Sequence, residues 1–104
     1  MATTSKALFR GSAGTSSATL YTVPTTSTTT VVTSIVVSNT ANTGATYNLT
    51  IDSVDIANTV TIAANDTVLI DLKQVIPANA TPKTITGFAS ATSVKFHISG
   101  VEIV

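Results

Sequence analysis

The eight residues Ala45-Thr46-Tyr47-Asn48-Leu49-Thr50-Ile51-Asp52 alternate apolar and polar side chains without a slip. A period of two places Tyr47, Leu49 and Ile51 on one face of an extended chain and Thr46, Asn48, Thr50 and Asp52 on the other. An α-helix would scatter both sets around its circumference, so this stretch must be a strand with one face on a core. The same alternation recurs in Thr59-Val60-Thr61-Ile62, in Thr67 to Leu72 with Val68, Ile70 and Leu72 inward, and in Val94 to Ile98. Threonine supplies 22 of the 104 residues, and together with Val and Ile it gives the chain the β-branched character that strands favour and helices disfavour.

Turn residues punctuate these runs: Asn39 to Gly44, Ala64-Asn65-Asp66, and Pro77 to Pro82. The spacing predicts eight short strands: 6–10, 18–23, 30–38, 45–52, 57–62, 67–72, 84–88 and 93–104. The Thr-rich stretch from Leu20 to Asn39 divides at Pro24 into two strands and a loop, because a disordered stalk would carry more proline and no matching apolar faces. Regular short strands with polar turns describe an all-β, antiparallel β-sandwich of jelly-roll or immunoglobulin-like type. Within the last strand, Val94, Phe96 and Ile98 share one parity and Val101 and Ile103 the other. Gly100 lies between them, which predicts a bulge there, with a turn into a ninth strand as the alternative.

One domain accommodates the length. Residues 1–17 read as an N-terminal arm or first strand followed by a flexible loop, Gly11 to Ser17, and residues 18–104 as the sandwich. With no cysteine there is no disulfide framework and no thiolate zinc site, and nothing points to an oxidising compartment. Charged residues make up 10% of the chain, five of each sign, and the five cations are dispersed singly, which argues against nucleic-acid binding. Apolar runs such as Ile35-Val36-Val37 fall far short of a membrane span, and the opening Met1 to Ser5 lacks the apolar stretch of a secretory signal. Near-zero net charge promotes self-contact and favours a subunit that lives in an assembly.

Catalytic chemistry finds little to rest on. His97 is the only histidine, on the face opposite Phe96 and Ile98, and lacks companions for a triad or a zinc site. Asp52-Ser53-Val54-Asp55 is the densest acidic cluster, but it has no calcium-loop spacing and reads as a turn. Gly11-Ser12-Ala13-Gly14 lacks the lysine and helix of a phosphate loop. The expectation is therefore no catalytic residue, no cofactor and no metal. The candidate contact residues are Leu8, Phe9 and Arg10 on the arm, which could add a strand to a neighbour's edge, and His97 and Val104 on the last strand, with a plain first strand as the simpler reading of the arm.

The segment Ala18-Thr19-Leu20-Tyr21-Thr22-Val23-Pro24, the strand Val31-Val32-Thr33-Ser34-Ile35-Val36-Val37-Ser38-Asn39 and the run Ala45 to Asp52 together resemble a group of small virion proteins of tailed phages, many of them cyanophages. Members are similar in reading LYTVP, a Thr-rich turn, then a strand ending in Asn and a Y-x-L-x-I-D strand. The turn after Pro24 departs from the group, with Thr25-Thr26-Ser27-Thr28 where a glycine is common, which implies a wider loop. The resemblance implies a β-sandwich structural component of the virion, assembled in the host cytoplasm. It implies as partners further copies of itself, in a homo-oligomer such as a trimer, and the major capsid protein or other virion proteins. Capsid decoration, or cementing, is the preferred role; a tail, neck or fibre component, including a receptor- or carbohydrate-binding module, is the alternative.

Overall fold

A computed structural model describes residues 3–24, 28–78, 81 and 83–103. Eight strands account for most of them: β1 (Thr3–Ser12), β2 (Ala18–Thr22), β3 (Thr29–Asn39), β4 (Ala45–Ile51), β5 (Val54–Ile62), β6 (Thr67–Ile76), β7 (Thr84–Ala89) and β8 (Val94–Ile103). They form two four-stranded sheets, ordered β1-β8-β3-β6 and β2-β7-β4-β5, and every pairing is antiparallel. All successive strands except β4 and β5 lie in opposite sheets, so the chain crosses the sandwich at nearly every connection. That order is the double-sheet jelly roll, and it excludes the seven-stranded immunoglobulin arrangement. The edges are β1 and β2 on one flank and β5 and β6 on the other.

The core sits between the sheets, where the alternating faces meet. β4 buries Ala45, Tyr47, Leu49 and Ile51, while β3 buries Thr30 and Val32 and then Ile35, Val37 and Asn39. Phe96 of β8 is fully buried, and its ring meets the edge of Tyr47 from the opposite sheet, with centroids 6.2 Å apart at 72°. Edge-to-face contact of this kind adds to the area term and ties the two layers together.

The change of parity in the last strand has a different origin from the one its sequence suggests. β8 alternates through Gly100, burying Val94, Phe96, Ile98 and Gly100 in turn, and the strand does not break into two. The extra residues lie in its neighbours: Leu8 of β1, between the pairs Ala7–Ser99 and Phe9–Ile98, and Thr33 of β3, between Val32–Gly100 and Ser34–Ser99. Val101 and Ile103 therefore face outward, Val101 between Ser5 and Val31. Glycine is required at position 100 by space. A Cβ there would overlap the Val31 carbonyl oxygen and lie 2.9 Å from Leu8 Cδ1.

The connections follow their chemistry. Asp52 and Ser53 take φ of 53° and 63°, the two positive values of a type I′ hairpin between β4 and β5. Asn65, also at positive φ, turns β5 into β6. At the same end of the sandwich the buried Asn39 amide donates to the Thr43 carbonyl (2.8 Å) and the Ala63 carbonyl (3.3 Å), while its oxygen accepts from the Ala41 N–H (3.1 Å) and the Ser93 hydroxyl (2.9 Å). One side chain thus fastens three loops with no polar atom left over. The Gly11 to Ser17 segment is anchored too: Ala13 is buried, its N–H donates to Val94 O at 2.8 Å, and Gly14 O accepts from the Ala89 N–H at 2.8 Å.

Candidate interaction surfaces

Of the contact residues expected from sequence, two face inward. Leu8 is buried in this chain's own core and Phe9 is half-buried against it, because β1 is paired along its length with β8. Arg10 and His97 face each other across the β1–β8 ladder on the outer, solvent-facing side of the first sheet. Val104 lies outside the described residues. Next to this pair, where the Leu8 and Thr33 bulges bend the sheet, a shallow open trough is lined by Ser5, Ala7, Arg10, Thr33, Ser99 and Val101. Nothing in that lining is a buried charge.

The fold also gathers three residues that sequence reasoning left apart. Lys6 Nζ lies 3.2 Å from Glu102 Oε1 and 5.4 Å from the centre of the Tyr21 ring, and the Tyr21 hydroxyl donates to Glu102 Oε2. The hydrogen bond from Tyr21, helped by Lys6, holds the Glu102 carboxyl below its ordinary range. Burial, and then donation to Glu102, raises the Tyr21 phenol, while the hydrogen bond to Glu102 raises Lys6. All three groups favour the protonation states they hold at neutral pH. Lys6 and Glu102 belong to the first sheet and Tyr21 to the second, so the cluster closes the β1–β2 flank. Its chemistry is that of a latch between sheets.

The acidic turn is occupied in a similar way, since Lys83 Nζ lies 3.1 Å from Asp52 Oδ1. Among the described residues no three His, Cys, Asp or Glu side chains converge as a metal site, and no helix is long and apolar enough to cross a membrane.

Exposed apolar surface is concentrated on one flank. Among the described residues the large hydrophobic side chains left exposed are Val54 (67%), Ile56 and Val60 of β5 and Leu69 (66%) and Val75 (64%) of β6. All five lie on the two edge strands of one side. The two edges differ in form. β5 is kinked by irregular pairing around Asn48 and Thr50 and by the positive φ of Thr59, which blunts it; β6 slips against β3 at one place, where Leu72 and Lys73 stand opposite the single Thr33, and along its ten residues keeps Thr67, Leu69, Asp71, Lys73 and Val75 exposed.

No protein-family model matches the chain, and no curated protein matches it in sequence. Solved structures do share its fold. A chain of infectious bursal disease virus, Gx strain, superposes with a TM-score of 0.55 at 16% identity, covering 97% of this chain and 32% of that one. A chain from the T13 particle of the same virus gives 0.54 at 14% identity, covering 97% and 30%. A pentameric capsid protein isolated from metagenomic phage sequences covers 90% of this chain at 16% identity with a TM-score of 0.41, too distant to carry an argument. The chain therefore spans about a third of the length of the bursal disease virus chains, and what it shares with them is the jelly-roll sandwich.

Proposed function

We propose that this chain is a non-enzymatic structural subunit of a virus particle, of the tailed-phage kind its strand motifs resemble. In this reading it acts as a capsid decoration protein. It binds the outer surface of the shell and further copies of itself, bridges neighbouring shell subunits and so stabilises the head. The observation that supports the reading best is the jelly-roll sandwich itself, ordered β1-β8-β3-β6 over β2-β7-β4-β5, which superposes over 97% of its length on a chain of infectious bursal disease virus with a TM-score of 0.55. Two features of the surface agree with it. Sparse charge leaves the sandwich suited to neutral contacts, and the exposed apolar residues of β5 and β6 supply a face to be covered.

Decoration adds buried contact across subunit boundaries, so its loss should be felt under stress. Particles assembled without the protein are expected to release nucleic acid at a lower temperature or lower salt than particles that carry it, with the purified protein restoring the difference when added back. Identical release curves with and without the protein would contradict a cementing role.

A further inference from the structure

We propose that β6 is a self-association edge, pairing antiparallel with β6 of a second copy about a two-fold axis at Leu72. The argument rests on how the exposed side of this strand is laid out. Leu72 is the centre of a pattern in which Asp71 and Lys73 stand one residue to either side, and Leu69 and Val75 stand three residues to either side. Each member of these pairs is exposed, and among the described residues neither Asp71 nor Lys73 has an ion-pair partner within the chain.

In an antiparallel pair centred on Leu72, Asp71 of one copy faces Lys73 of the other, twice by symmetry, and Leu69 faces Val75, again twice. Directly opposed side chains of these types are the stabilising unit of a sheet. The ladder ends where Pro77, without an N–H to give, follows β6. A single lysine on an edge would read as a guard against pairing; Asp71 two residues away turns it into a register lock. Moving the axis to Asp71 sets aspartate against aspartate, and moving it to Lys73 sets lysine against lysine. Slipping by one residue opposes outward to inward side chains, and parallel pairing in register aligns like charges. One register alone satisfies both charges and apolar residues, and its occupant is a second copy of this chain. The result joins two first sheets into a continuous eight-stranded sheet.

This deepens the self-association part of the decoration reading, but it is tested on the isolated chain, so either can fail without the other. The purified protein should sediment at about twice the 10.6 kDa of the chain as concentration rises. Lys73→Asp, which sets two aspartates against two, should weaken the dimer at least about tenfold, and Asp71→Lys combined with Lys73→Asp should restore it. The chain has no cysteine, so register can be read directly. Mixed Leu69→Cys and Val75→Cys proteins should oxidise to a linked dimer, while neither variant alone does. Circular dichroism checks that each exposed substitution keeps the fold. A protein monomeric at every concentration, a dimer indifferent to Lys73→Asp, or a mixture of folded cysteine variants that does not cross-link would overturn the proposal.

Discussion

Replacing Gly100 by alanine tests the packing at the bulged centre of the first sheet. The added Cβ would overlap the Val31 carbonyl oxygen of β3 on one side and lie 2.9 Å from Leu8 Cδ1 of β1 on the other. The leucine can turn away, but the carbonyl belongs to the backbone and moves only with its strand. Overpacking of this kind costs about 1–3 kcal/mol, and the loss of unfolded-chain entropy on replacing glycine returns about 0.4–1 kcal/mol where the backbone permits alanine. The net expectation is a destabilisation of about 1–2 kcal/mol, which in a domain of this size lowers Tm by about 5–15 °C. Gly44→Ala is the internal control, since its Cβ would meet only the Ile62 carbonyl at 3.5 Å, and it should stay within about 0.5 kcal/mol of the parent. Thermal unfolding followed by circular dichroism separates the two. Because Leu8 Cδ1 is one of the atoms the new Cβ would crowd, Leu8→Ala combined with Gly100→Ala should cost less than the sum of the single changes. A Gly100→Ala protein that melts with the parent, or a strictly additive double variant, would refute the account of why glycine stands there.

Three further substitutions or conditions probe the rest of the fold. Phe96→Ala removes the fully buried ring that meets Tyr47 across the sandwich and should cost about 3–5 kcal/mol, whereas His97→Ala, one residue on and exposed, should cost little in the isolated chain; equal urea midpoints for the two would reverse the assigned faces. Asn39→Ala strips two donors and two acceptance points from the loop end and should cost about 1–3 kcal/mol, visible as faster amide exchange at Ala41, and unchanged exchange there would count against its fastening role. The latch predicts a stability window in pH. The lowered Glu102 carboxyl contributes stability above the ordinary carboxylate value of about 4.3 that is lost as pH falls through its folded value, and the raised Tyr21 and Lys6 contribute stability that is lost as pH rises beyond about 10. Glu102→Gln should flatten the acid limb of a Tm–pH curve, and parallel curves for parent and variant would rule the latch out.

All eight strands were legible in the sequence, and the reason is local: alternation such as Tyr47, Leu49, Ile51 or Val68, Ile70, Leu72 is written in consecutive residues. A turn in the Asp52 to Asp55 cluster was legible too, but not its tight two-residue form at Asp52-Ser53, which starts β5 at Val54 rather than at Ala57. Strand order was not, because β1 lies beside β8 and β3 beside β6 through contacts between residues far apart in the chain. The Gly100 region shows the limit well. The parity change was visible, but the residues that accommodate it, Leu8 and Thr33, belong to other strands. The latch was hidden for the same reason, with Tyr21 separated from Glu102 by 81 residues and Lys6 from it by 96. The symmetric pattern around Leu72 was present in the sequence all along, but Asp71 and Lys73 read as dispersed charges until β6 was known to be an edge.

The central claim is that this sandwich is a repeated structural part of a particle, and copy number tests it most directly. If the claim holds, quantitative mass spectrometry of purified particles of a virus whose genome carries the chain should find it at a copy number of the same order as the principal shell protein. Its absence from those particles, or its presence in only a handful of copies, would contradict the claim of capsid decoration.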